Sequence, residues 1–445
     1  MNIVEEIFRR ADRRAIALIS RDRTVTYADL FQRVDAAASD IAKSPAARVA
    51  LDCPNGVAHV VLALAIVRAG KCLVPIASEL TERERVRLLS ETGVGAIVDA
   101  QGAVRELPRV EAPFDESALA EINPAFIRFS SGTTGRSKGI VLSHQRLIER
   151  VTAANRGLQI SPTDRVVWIL PMAHHFAVSI MLYLLHGAAT IIEDSHLAED
   201  VLSAAIAHSG TVIYGAPFHH AMLGAEGSAR AWGSLRLAVS TAATLPLATA
   251  QAFERRYSVP LTQGLGVIEV GLPLLNLAHA RHKPTSVGAP LPDFRAEVRG
   301  EGELFLQGPG MLDAYLHPWR SRAEILEDGW FRTGDLARID EDGDVHLLGR
   351  SHSVINVAGL KCFPEEVEAV LCELPEVERA RVSGEANERF GMVPVAEIVA
   401  RDPASPPSLS TLAAHCRRAL ARYKVPVEFR LVASLPLTAS GKIKR

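Results

Sequence analysis

Apolar residues in the first part of the chain alternate between short continuous runs and longer stretches with apolar positions at helical spacing. The runs of strand length are RVALDCPNG (48–56), KCLVPIA (71–77) and VGAIVDA (94–100). Gly70 and Gly93 follow the predicted helices between them, where a glycine can end a helix. Strands that alternate with helices predict a parallel sheet covered on both faces. The alternation returns around apolar runs at 166–169, 190–193, 211–214 and 235–239.

The sequence pattern changes at about residue 284. Short strand-like runs, RAEV, GELFLQG and DVHLLG, stand between Gly, Pro and Asp turns and predict a small antiparallel or barrel-like β unit. Beyond Gly349 and Arg350 a new alternation of strands and helices begins, with a Pro/Ser-rich loop at 402–409. We therefore expect an α/β fold with two domains. A large N-terminal domain (1–349) would combine parallel α/β subdomains with the small β-barrel-like unit, and a small α+β C-terminal domain would span 350–445.

Length and charge agree with this organisation. A chain of 445 residues exceeds one ordinary core and suits two or three domains or subdomains. The formal net charge of −2 creates no strong field, so neither nucleic acid nor an anionic membrane is an expected partner. The five cysteines include no CxxC pair, so we expect reduced, buried thiols rather than a zinc site or a disulfide framework.

Neither a signal peptide nor a membrane helix is predicted. The N-terminal segment MNIVEEIFRRADRR lacks the apolar region of a signal peptide, and we expect a cytoplasmic protein. The most apolar stretch, 166–192, contains Pro171 and three histidines, which a membrane helix would bury at a cost of several kcal/mol. We interpret it as a buried strand, a loop and a core helix.

The first segment that indicates a binding or catalytic role is FIRFSSGTTGRSKGIVLSH (126–144). Its small residues let backbone N–H groups close around phosphate oxygens, its hydroxyls add donors, and Lys138 supplies a positive charge. The spacing is not that of a Walker A loop. Taken alone, the segment could be a flexible Ser/Gly loop.

Three further blocks change that interpretation: DGWFRTGD (328–335), GRSH (349–352) with PEEVE (364–368), and PLTASGK (436–442). Together with the Ser/Gly loop they resemble the adenylate-forming superfamily of acyl- and aryl-CoA ligases, peptide-synthetase adenylation domains and firefly-type luciferases. The resemblance covers essentially the whole chain. It implies activation of a carboxylic acid by ATP to an acyl-AMP with release of pyrophosphate. Transfer to a thiol would follow, either coenzyme A or the phosphopantetheine of a carrier protein.

The resemblance also implies roles for individual residues. The ATP phosphates would be held by Lys138 together with Ser130, Ser131, Gly132, Thr133, Thr134 and Gly135. Asp335 would accept hydrogen bonds from the ribose hydroxyls, and Arg350 would contact ribose or phosphate. Lys442 would reach the carboxylate and the α-phosphate during adenylation, where a fixed ammonium stabilises developing charge.

The C-terminal domain would be mobile in such an enzyme. His352 stands at the hinge position, which is usually Asp or Lys in the family; a hinge must accept a change of backbone angles rather than perform chemistry, so histidine is tolerable. Gly359 would let the pantetheine arm reach the acyl group, although it could also be a simple turn glycine.

The adenine and metal positions depart from the family pattern. Small residues remain at Ala242 and Ala243, where the family has glycine and alanine, and Gly266 is retained. Leu265 replaces the usual tyrosine, and Ile268 replaces a threonine whose hydroxyl meets phosphate. Glu269 is kept and, with Thr134, is expected to hold Mg²⁺, a hard ion that prefers oxygen ligands.

The acyl pocket is expected at HHFAVSIM (174–181). The expected pocket-lining residues are His174, His175, Phe176, Ala216 and Val267. Family members that activate α-amino acids carry an aspartate a few residues after the first of these positions, and 174–181 has no acid. An unpaired buried ammonium costs several kcal/mol. We therefore expect an aryl or short-to-medium acyl acid without an α-amine.

Two other interpretations remain open from the sequence. Leu265 and Ile268 could indicate a catalytically impaired, adenylate-binding regulator. An enzyme that adenylates without transfer to coenzyme A is the other alternative. Retention of Lys442, Asp335 and Glu269 argues against a pure binder. An oxidase that acts on the adenylate, as luciferases do, has no specific support in the sequence.

Overall fold

The structure is a computed structural model, and it describes residues 2–78, 80–108, 114–129, 138–195, 197–357, 360–387, 391–437 and 443. For 352, 356, 361 and 391 it describes the backbone only. The helices are α1 (Ile3–Arg10), α2 (Tyr27–Ile41), α3 (Val57–Arg68), α4 (Glu82–Thr92), α5 (Glu116–Ile122), α6 (His144–Leu158), α7 (Met172–His175), α8 (Ile180–Leu185), α9 (Ala198–Ala207), α10 (Pro217–Ala225), α11 (Leu247–Tyr257), α12 (Arg322–Ile325), α13 (Pro364–Leu371) and α14 (Leu409–Ala419). Short 3₁₀ turns span Ser351–Ser353 and Arg422–Lys424.

The strands divide among four sheets. In the first half of the chain they are β1 (Ile16–Ser20), β2 (Arg23–Thr26), β3 (Arg48–Asp52), β4 (Cys72–Pro75), β5 (Ala96–Asp99), β6 (Val104–Glu106), β7 (Pro124–Phe129), β8 (Gly139–Ser143), β9 (Arg165–Trp168), β10 (Ala189–Ile192) and β11 (Val212–Gly215). In the second half they are β12 (Leu237–Ser240), β13 (Leu261–Val267), β14 (Gly271–Leu275), β15 (Ala289–Pro290), β16 (Arg295–Arg299), β17 (Glu303–Gln307), β18 (Ala314–Tyr315), β19 (Arg320–Ser321), β20 (Phe331–Ile339), β21 (Val345–Arg350), β22 (Ile355–Val357), β23 (Leu360–Cys362), β24 (Val377–Asn387), β25 (Gly391–Ala400) and β26 (Glu428–Leu431).

Local signals in the sequence explain where several helices begin and end. The Thr81 hydroxyl accepts from the backbone N–H of Glu84, and the Glu84 carboxylate accepts from the backbone N–H of Thr81, which forms a capping box at the start of α4. Gly93 ends the same helix with a φ of 58°, in the left-handed region that glycine adopts without strain. The predicted helix closure at Gly93 is therefore confirmed.

Two large sheets form the first part of the molecule. Their strand orders are β15-β14-β13-β12-β11-β9-β10-β1-β2 and β19-β18-β8-β7-β4-β3-β5-β6. In the first sheet, neighbouring strands pair in parallel along the run β1, β10, β9, β11, β12 and β13. Antiparallel strands are added at the two edges, β2 beside β1 and β14 beside β13. The largest apolar cluster joins side chains from both sheets, among them Leu51, Phe126, Val166 and Trp168. The prediction of a parallel, helix-covered α/β core is confirmed.

The β unit predicted from about residue 284 is present as the antiparallel sheet β16-β17-β20-β21. The pairing among its described strands is open rather than closed into a ring. The fourth sheet, β23-β22-β25-β24 with β26 beside β25, has its own apolar cluster, built from Ile355 through Cys416. The proposed boundary between 1–349 and 350–445 stays a prediction.

Three details differ from the sequence-based expectation. The loop expected between the apolar strand and helix of 166–192 contains a short helix, α7 (Met172–His175). The apolar pattern of LAAHCRRALARY (412–423) predicts a helix over its whole length, whereas the last helix ends at Ala419 and a 3₁₀ turn follows at Arg422–Lys424. Cys372 is half-buried, whereas the other four cysteines are buried as expected. In the described part of the chain, no helix is both long and apolar enough to span a bilayer.

Candidate active site

Two residues predicted separately, Lys138 and Glu269, lie on either side of one tyrosine. The Tyr315 hydroxyl donates a hydrogen bond to Glu269 Oε1 at 3.2 Å. The Lys138 ammonium nitrogen lies 4.6 Å from the centre of the Tyr315 ring, within the range of a cation–π contact. The carboxylate predicted for the metal and the lysine predicted for phosphate therefore share one aromatic neighbour.

The backbone around Lys138 is fixed by strand pairing. Gly139 begins β8 directly after this lysine, and β18 pairs antiparallel with β8, so that Tyr315 lies opposite Ile140. The Leu316 N–H donates to the Gly139 carbonyl at 2.6 Å. A Cβ at position 139 would come within 2.9 Å of Leu316 Cβ, so only glycine permits this close approach.

The turn that carries Glu269 is held by a buried arginine. Arg150 is 1% exposed, and its guanidinium donates to the Ile268 carbonyl at 2.9 Å and twice to the Gly310 carbonyl. Burial lowers the pKa of Arg150 to about 10, which leaves it charged at neutral pH. The Leu312 N–H also donates to the Glu269 carbonyl at 2.7 Å. These contacts set the position of Glu269 before any ligand binds.

Burial also acts on the tyrosine between the two charged groups. Tyr315 is 5% exposed, and its burial, followed by the nearby Glu269 carboxylate, raises the pKa of the phenol well above its usual range. The hydroxyl is therefore protonated at neutral pH and acts as a donor toward the carboxylate.

Asp335 and Arg350 meet on neighbouring strands, although they stand in different sequence blocks. They lie opposite each other in the β20–β21 hairpin, and Arg350 Nε is 2.8 Å from Asp335 Oδ1. The Asp335 N–H donates to the Thr333 hydroxyl at 3.0 Å, and Arg350 donates to the Thr333 carbonyl at 3.2 Å. Asp335 is 7% exposed. The predicted ribose carboxylate is thus held in a single orientation by its own strand pair.

The predicted adenine residues come from two adjacent strands. Ala242 and Ala243 follow the end of β12, and Leu265 and Gly266 lie on β13, the parallel neighbour of β12. Gly266 is exposed, with the Thr241 hydroxyl 3.7 Å from the position that a Cβ would take. Leu265 packs against the main apolar cluster. The pairing of β12 with β13 therefore brings the two predicted adenine segments side by side.

The predicted acyl-pocket residues lie beside a group of aromatic rings. The Trp168 ring stacks on Tyr214 with centroids 6.1 Å apart, and its edge meets His175 at 5.8 Å. Burial raises the pKa of Tyr214 to about 12. These rings occupy the carboxyl ends of parallel strands β9 and β11, the edge where α/β sheets bind ligands.

The remaining pocket candidates occupy different depths. His174 is half-buried on α7, and Val267 is half-buried at the end of β13. Ala216 is 3% exposed at the start of α10, and its N–H donates to His219 Nδ1 at 3.2 Å. Phe176 is fully buried and contacts the His59 ring at 5.9 Å, which places it behind the other candidates rather than at a surface.

Several predicted residues lie outside the described part of the chain. They are Ser130, Ser131, Gly132, Thr133, Thr134, Gly135, Gly359 and Lys442. The backbone of His352 lies in the 3₁₀ turn directly after β21, between the third and fourth sheets along the chain. The roles predicted for all of these residues stay predictions.

The residues present are compatible with Mg²⁺. Among the described residues, no three His, Cys, Asp or Glu side chains are grouped closely enough to hold a metal ion by themselves. Mg²⁺ usually binds through one or two carboxylates together with substrate phosphates and water. A single oriented carboxylate, Glu269, near a lysine suited to phosphate matches that mode.

Sequence reasoning missed Tyr315, Arg150 and the Trp168–Tyr214 pair. A signal for Arg150 was available, because it falls on the buried stripe of α6 with Leu147, Val151 and Ala154. An arginine on such a stripe is expected to be paired. Tyr315 gives no comparable local signal. Two surface cavities, of about 640 Å³ and about 290 Å³, are lined by none of the predicted site residues.

Comparison with known protein families gives two matches along the chain. Residues 5–316 match the model of the AMP-binding enzymes, and residues 366–442 match the model of the AMP-binding enzyme C-terminal domain. A feruloyl-CoA synthase from Amycolatopsis sp. is 30% identical over 456 residues, which covers 94% of this chain and 92% of that protein. The 3-[(3aS,4S,7aS)-7a-methyl-1,5-dioxo-octahydro-1H-inden-4-yl]propanoyl:CoA ligase of Mycobacterium tuberculosis is 29% identical, covering 96% of this chain and 94% of that protein.

The fold is similar to solved structures over its full length. The o-succinylbenzoate CoA synthetase from Bacillus subtilis, in complex with its acyl-adenylate intermediate, matches with a TM-score of 0.87. The two sequences are 26% identical, and the match covers 100% of this chain and 97% of that chain.

Proposed function

The chain belongs to the AMP-binding enzyme family and is an AMP-forming acid–thiol ligase of the acyl-CoA synthetase kind, and we propose that its acid is an aryl or short-to-medium acyl acid without an α-amine. ATP and coenzyme A are its co-substrates. The observation that carries the substrate proposal is the absence of acidic residues from 174–181, a segment in which His175 meets the edge of the buried Trp168 ring.

Aromatic side chains favour a flat or apolar acyl group. Ring pairs contribute about 0.5–1.5 kcal/mol beyond the burial of area. An α-ammonium would need a carboxylate partner at the same place, and 174–181 supplies none. The names of the relatives, which include a feruloyl-CoA synthase and an o-succinylbenzoate CoA synthetase, also support an aromatic acid.

The first half-reaction joins the acid to AMP. The substrate carboxylate attacks the α-phosphate, the new carboxylate–phosphate bond forms, and pyrophosphate leaves. Lys138 and Lys442 would offset the negative charge that builds on the phosphate oxygens. Asp335 and Arg350 would orient the ribose. Mg²⁺ would supply further neutralisation of phosphate charge when bound, with Glu269 and Thr134 as protein ligands.

The second half-reaction transfers the acyl group to a thiol. Residues 350–445 would rotate about His352, withdraw Lys442 and bring the Gly359 segment to the adenylate. The thiolate of coenzyme A then attacks the acyl carbon, and AMP leaves with its phosphate oxygen. A carrier-protein phosphopantetheine is the alternative acceptor in this proposal.

The experiment is pyrophosphate exchange across a panel of benzoates, cinnamates, C2–C10 fatty acids and L-α-amino acids, with thioester formation measured in parallel with coenzyme A. We expect exchange with aryl or aliphatic acids and thioester with the same acids. Exchange confined to α-amino acids contradicts the substrate proposal. Absence of exchange with any acid, combined with tight binding of a synthetic acyl-AMP, would favour the regulator interpretation instead.

A variant separates the two half-reactions. Lys442→Ala should reduce adenylation far more than it reduces thioester formation from supplied acyl-AMP. Lys43→Ala, which removes an exposed lysine paired only with Asp40 among its described contacts, is the matched control and should change neither. Equal losses in both half-reactions would remove Lys442 from the first step.

A further inference from the structure

We propose that Tyr315 is the positioning residue of the phosphate and metal side of the site, orienting the Glu269 carboxylate through its hydroxyl and the Lys138 ammonium through its ring. The proposal rests on the proposed roles of Glu269 and Lys138 in nucleotide binding. It assigns to Tyr315 a role that acts through Glu269 and Lys138.

The two contacts use different parts of one side chain. The hydroxyl donates to Glu269 Oε1 at 3.2 Å, and the ring centre lies 4.6 Å from Lys138 Nζ. A hydrogen bond to one oxygen restrains the rotation of a carboxylate, and so it limits the directions in which the remaining acceptor positions point. The ring face gives the ammonium a favourable position without neutralising its charge.

The backbone holds the tyrosine at a fixed distance from both partners. Strand β18 pairs with β8 next to Lys138, and the Leu316 N–H donates to the Gly139 carbonyl. The Leu312 N–H donates to the Glu269 carbonyl at 2.7 Å. The backbone of the segment 312–316 is therefore hydrogen-bonded next to Lys138 at one end and to Glu269 at the other. The side chain of Tyr315 contacts both of these residues.

The sequence of this chain makes the tyrosine more important. Ile268 stands where the family usually has threonine, so the residue beside Glu269 offers no hydroxyl to phosphate. Because the turn has one fewer polar group, the binding of phosphate and metal depends more strongly on the orientation of the Glu269 carboxylate. The buried Arg150 fixes the turn's backbone, and Tyr315 fixes its functional side chain.

The test compares Tyr315→Phe, which removes the hydroxyl and keeps the ring, with Tyr315→Leu, which removes both. The first readout is the Mg²⁺ concentration for half-maximal pyrophosphate exchange, and the second is ATP affinity by calorimetry with Mg²⁺ and with EDTA. Tyr315→Phe should raise the Mg²⁺ requirement about 10-fold, as for loss of one hydrogen bond to a charged group. Its ATP affinity in EDTA should not change.

Tyr315→Leu should add a second effect. Loss of the ring face should weaken ATP binding in EDTA by about 2- to 30-fold, because Lys138 is no longer held. The matched control is Tyr257→Phe, which removes a buried phenol hydrogen bond to the Leu223 carbonyl at 2.9 Å, away from the site. It should leave the Mg²⁺ requirement at the wild-type value.

A double-mutant cycle with Glu269→Gln tests the route of the effect. If Tyr315 acts through Glu269, adding Tyr315→Phe to Glu269→Gln should not raise the Mg²⁺ requirement further. An unchanged Mg²⁺ requirement in Tyr315→Phe, or an equal change in Tyr257→Phe, overturns the inference. Wild-type protein that shows no exchange with any acid overturns the proposed function instead, and calorimetry with ATP still decides the role of Tyr315.

Discussion

At the predicted ribose site, single residues of the β20–β21 hairpin hold one another in place. Asp335 is mostly buried and paired with Arg350 at 2.8 Å, so its carboxylate is oriented in the absence of ligand. Hydrogen bonds to a charged acceptor contribute about 1.5–3 kcal/mol, roughly twice those between neutral groups. If the ribose binds here as proposed, an oriented carboxylate keeps most of that energy for the contact, because little further ordering is needed.

Asp335→Ala should therefore weaken ATP binding by about 10-fold or more, which corresponds to the lower end of that energy range. Calorimetry with ATP measures the effect. Glu303→Ala is the control, because Glu303 accepts from Arg332 at 2.8 Å on the same sheet and has no predicted role in the site. If Asp335→Ala retains wild-type affinity, or if Glu303→Ala loses as much, the ribose assignment is wrong.

Ala242 shows a cost of departing from the family pattern. Its φ of 74° lies in the left-handed region, where a Cβ is unfavourable, and the family usually has glycine at this position. Ala242→Gly should raise the free energy of unfolding by about 1 kcal/mol. Urea denaturation measures the difference. Ala243→Gly should not stabilise the protein, because Ala243 has no positive φ among the described backbone angles. Similar decreases in the free energy of unfolding of both variants would show that the backbone at Ala242 is not strained.

At the scale of elements, a lysine and a histidine of a neighbouring loop hold the turn of the β20–β21 hairpin. Lys283 contacts three aspartates of the turn, Asp340 at 2.7 Å, Asp342, and Asp344 at 3.6 Å. The lysine holds the pKa of Asp340 well below its usual range. His279 Nδ1 donates to Asp344 at 2.8 Å from the same loop. The hairpin that carries Asp335 and Arg350 is thus anchored at its far end.

Lys283→Met keeps the length of the side chain and removes its charge. It leaves three neighbouring carboxylates without their cation, so the hairpin should open more readily. We expect faster hydrogen exchange across 331–350 and a smaller loss of ATP affinity than in Asp335→Ala. Arg281→Met, a change two residues away at an exposed ion pair with Glu254, is the control. Unchanged exchange in 331–350 would show that the turn does not depend on Lys283.

What could be predicted from the sequence was mainly local. The cap of α4 uses Thr81, Glu84 and Gly93, all within thirteen residues, and was open to pattern reasoning. The contact of Tyr315 with Glu269 spans 46 positions, and that of Arg150 with Gly310 spans 160. No local period encodes such pairs; they result from strand order. The motifs predicted to bind the nucleotide are recognisable because their residues are contiguous, whereas Tyr315 and Arg150 reach Glu269 and its turn from distant parts of the chain.

At the scale of the whole molecule, buried histidines connect distant parts of the chain. His144 Nδ1 accepts from the Ile3 N–H at 3.4 Å, which ties the N-terminal helix to α6. His220 is fully buried and donates from Nε2 to the Val239 carbonyl at 3.0 Å. Burial lowers the pKa of His144, His186 and His220 to about 4. Burial therefore disfavours protonation of each of these histidines in the folded state.

These histidines predict a defined window of acid sensitivity. Their pKa in the unfolded chain is near 6.5, above the folded value of about 4. As the pH falls through this interval the unfolded state binds protons first, so stability is intact above about pH 6.5 and is lost progressively toward pH 4. Each fully shifted histidine contributes up to about 1.4 kcal/mol per pH unit.

His220→Gln tests this window, because the glutamine amide can still donate to the Val239 carbonyl but does not titrate. The variant should be less stable than wild type at pH 7, since it loses the ring contact with Phe253. Its urea midpoint should nevertheless fall less steeply between pH 6.5 and 4.5. His282→Gln, at an exposed position, is the control and should keep the wild-type slope, because an exposed ring loses little hydration on folding. A His220→Gln profile parallel to that of wild type would mean that other groups govern acid unfolding.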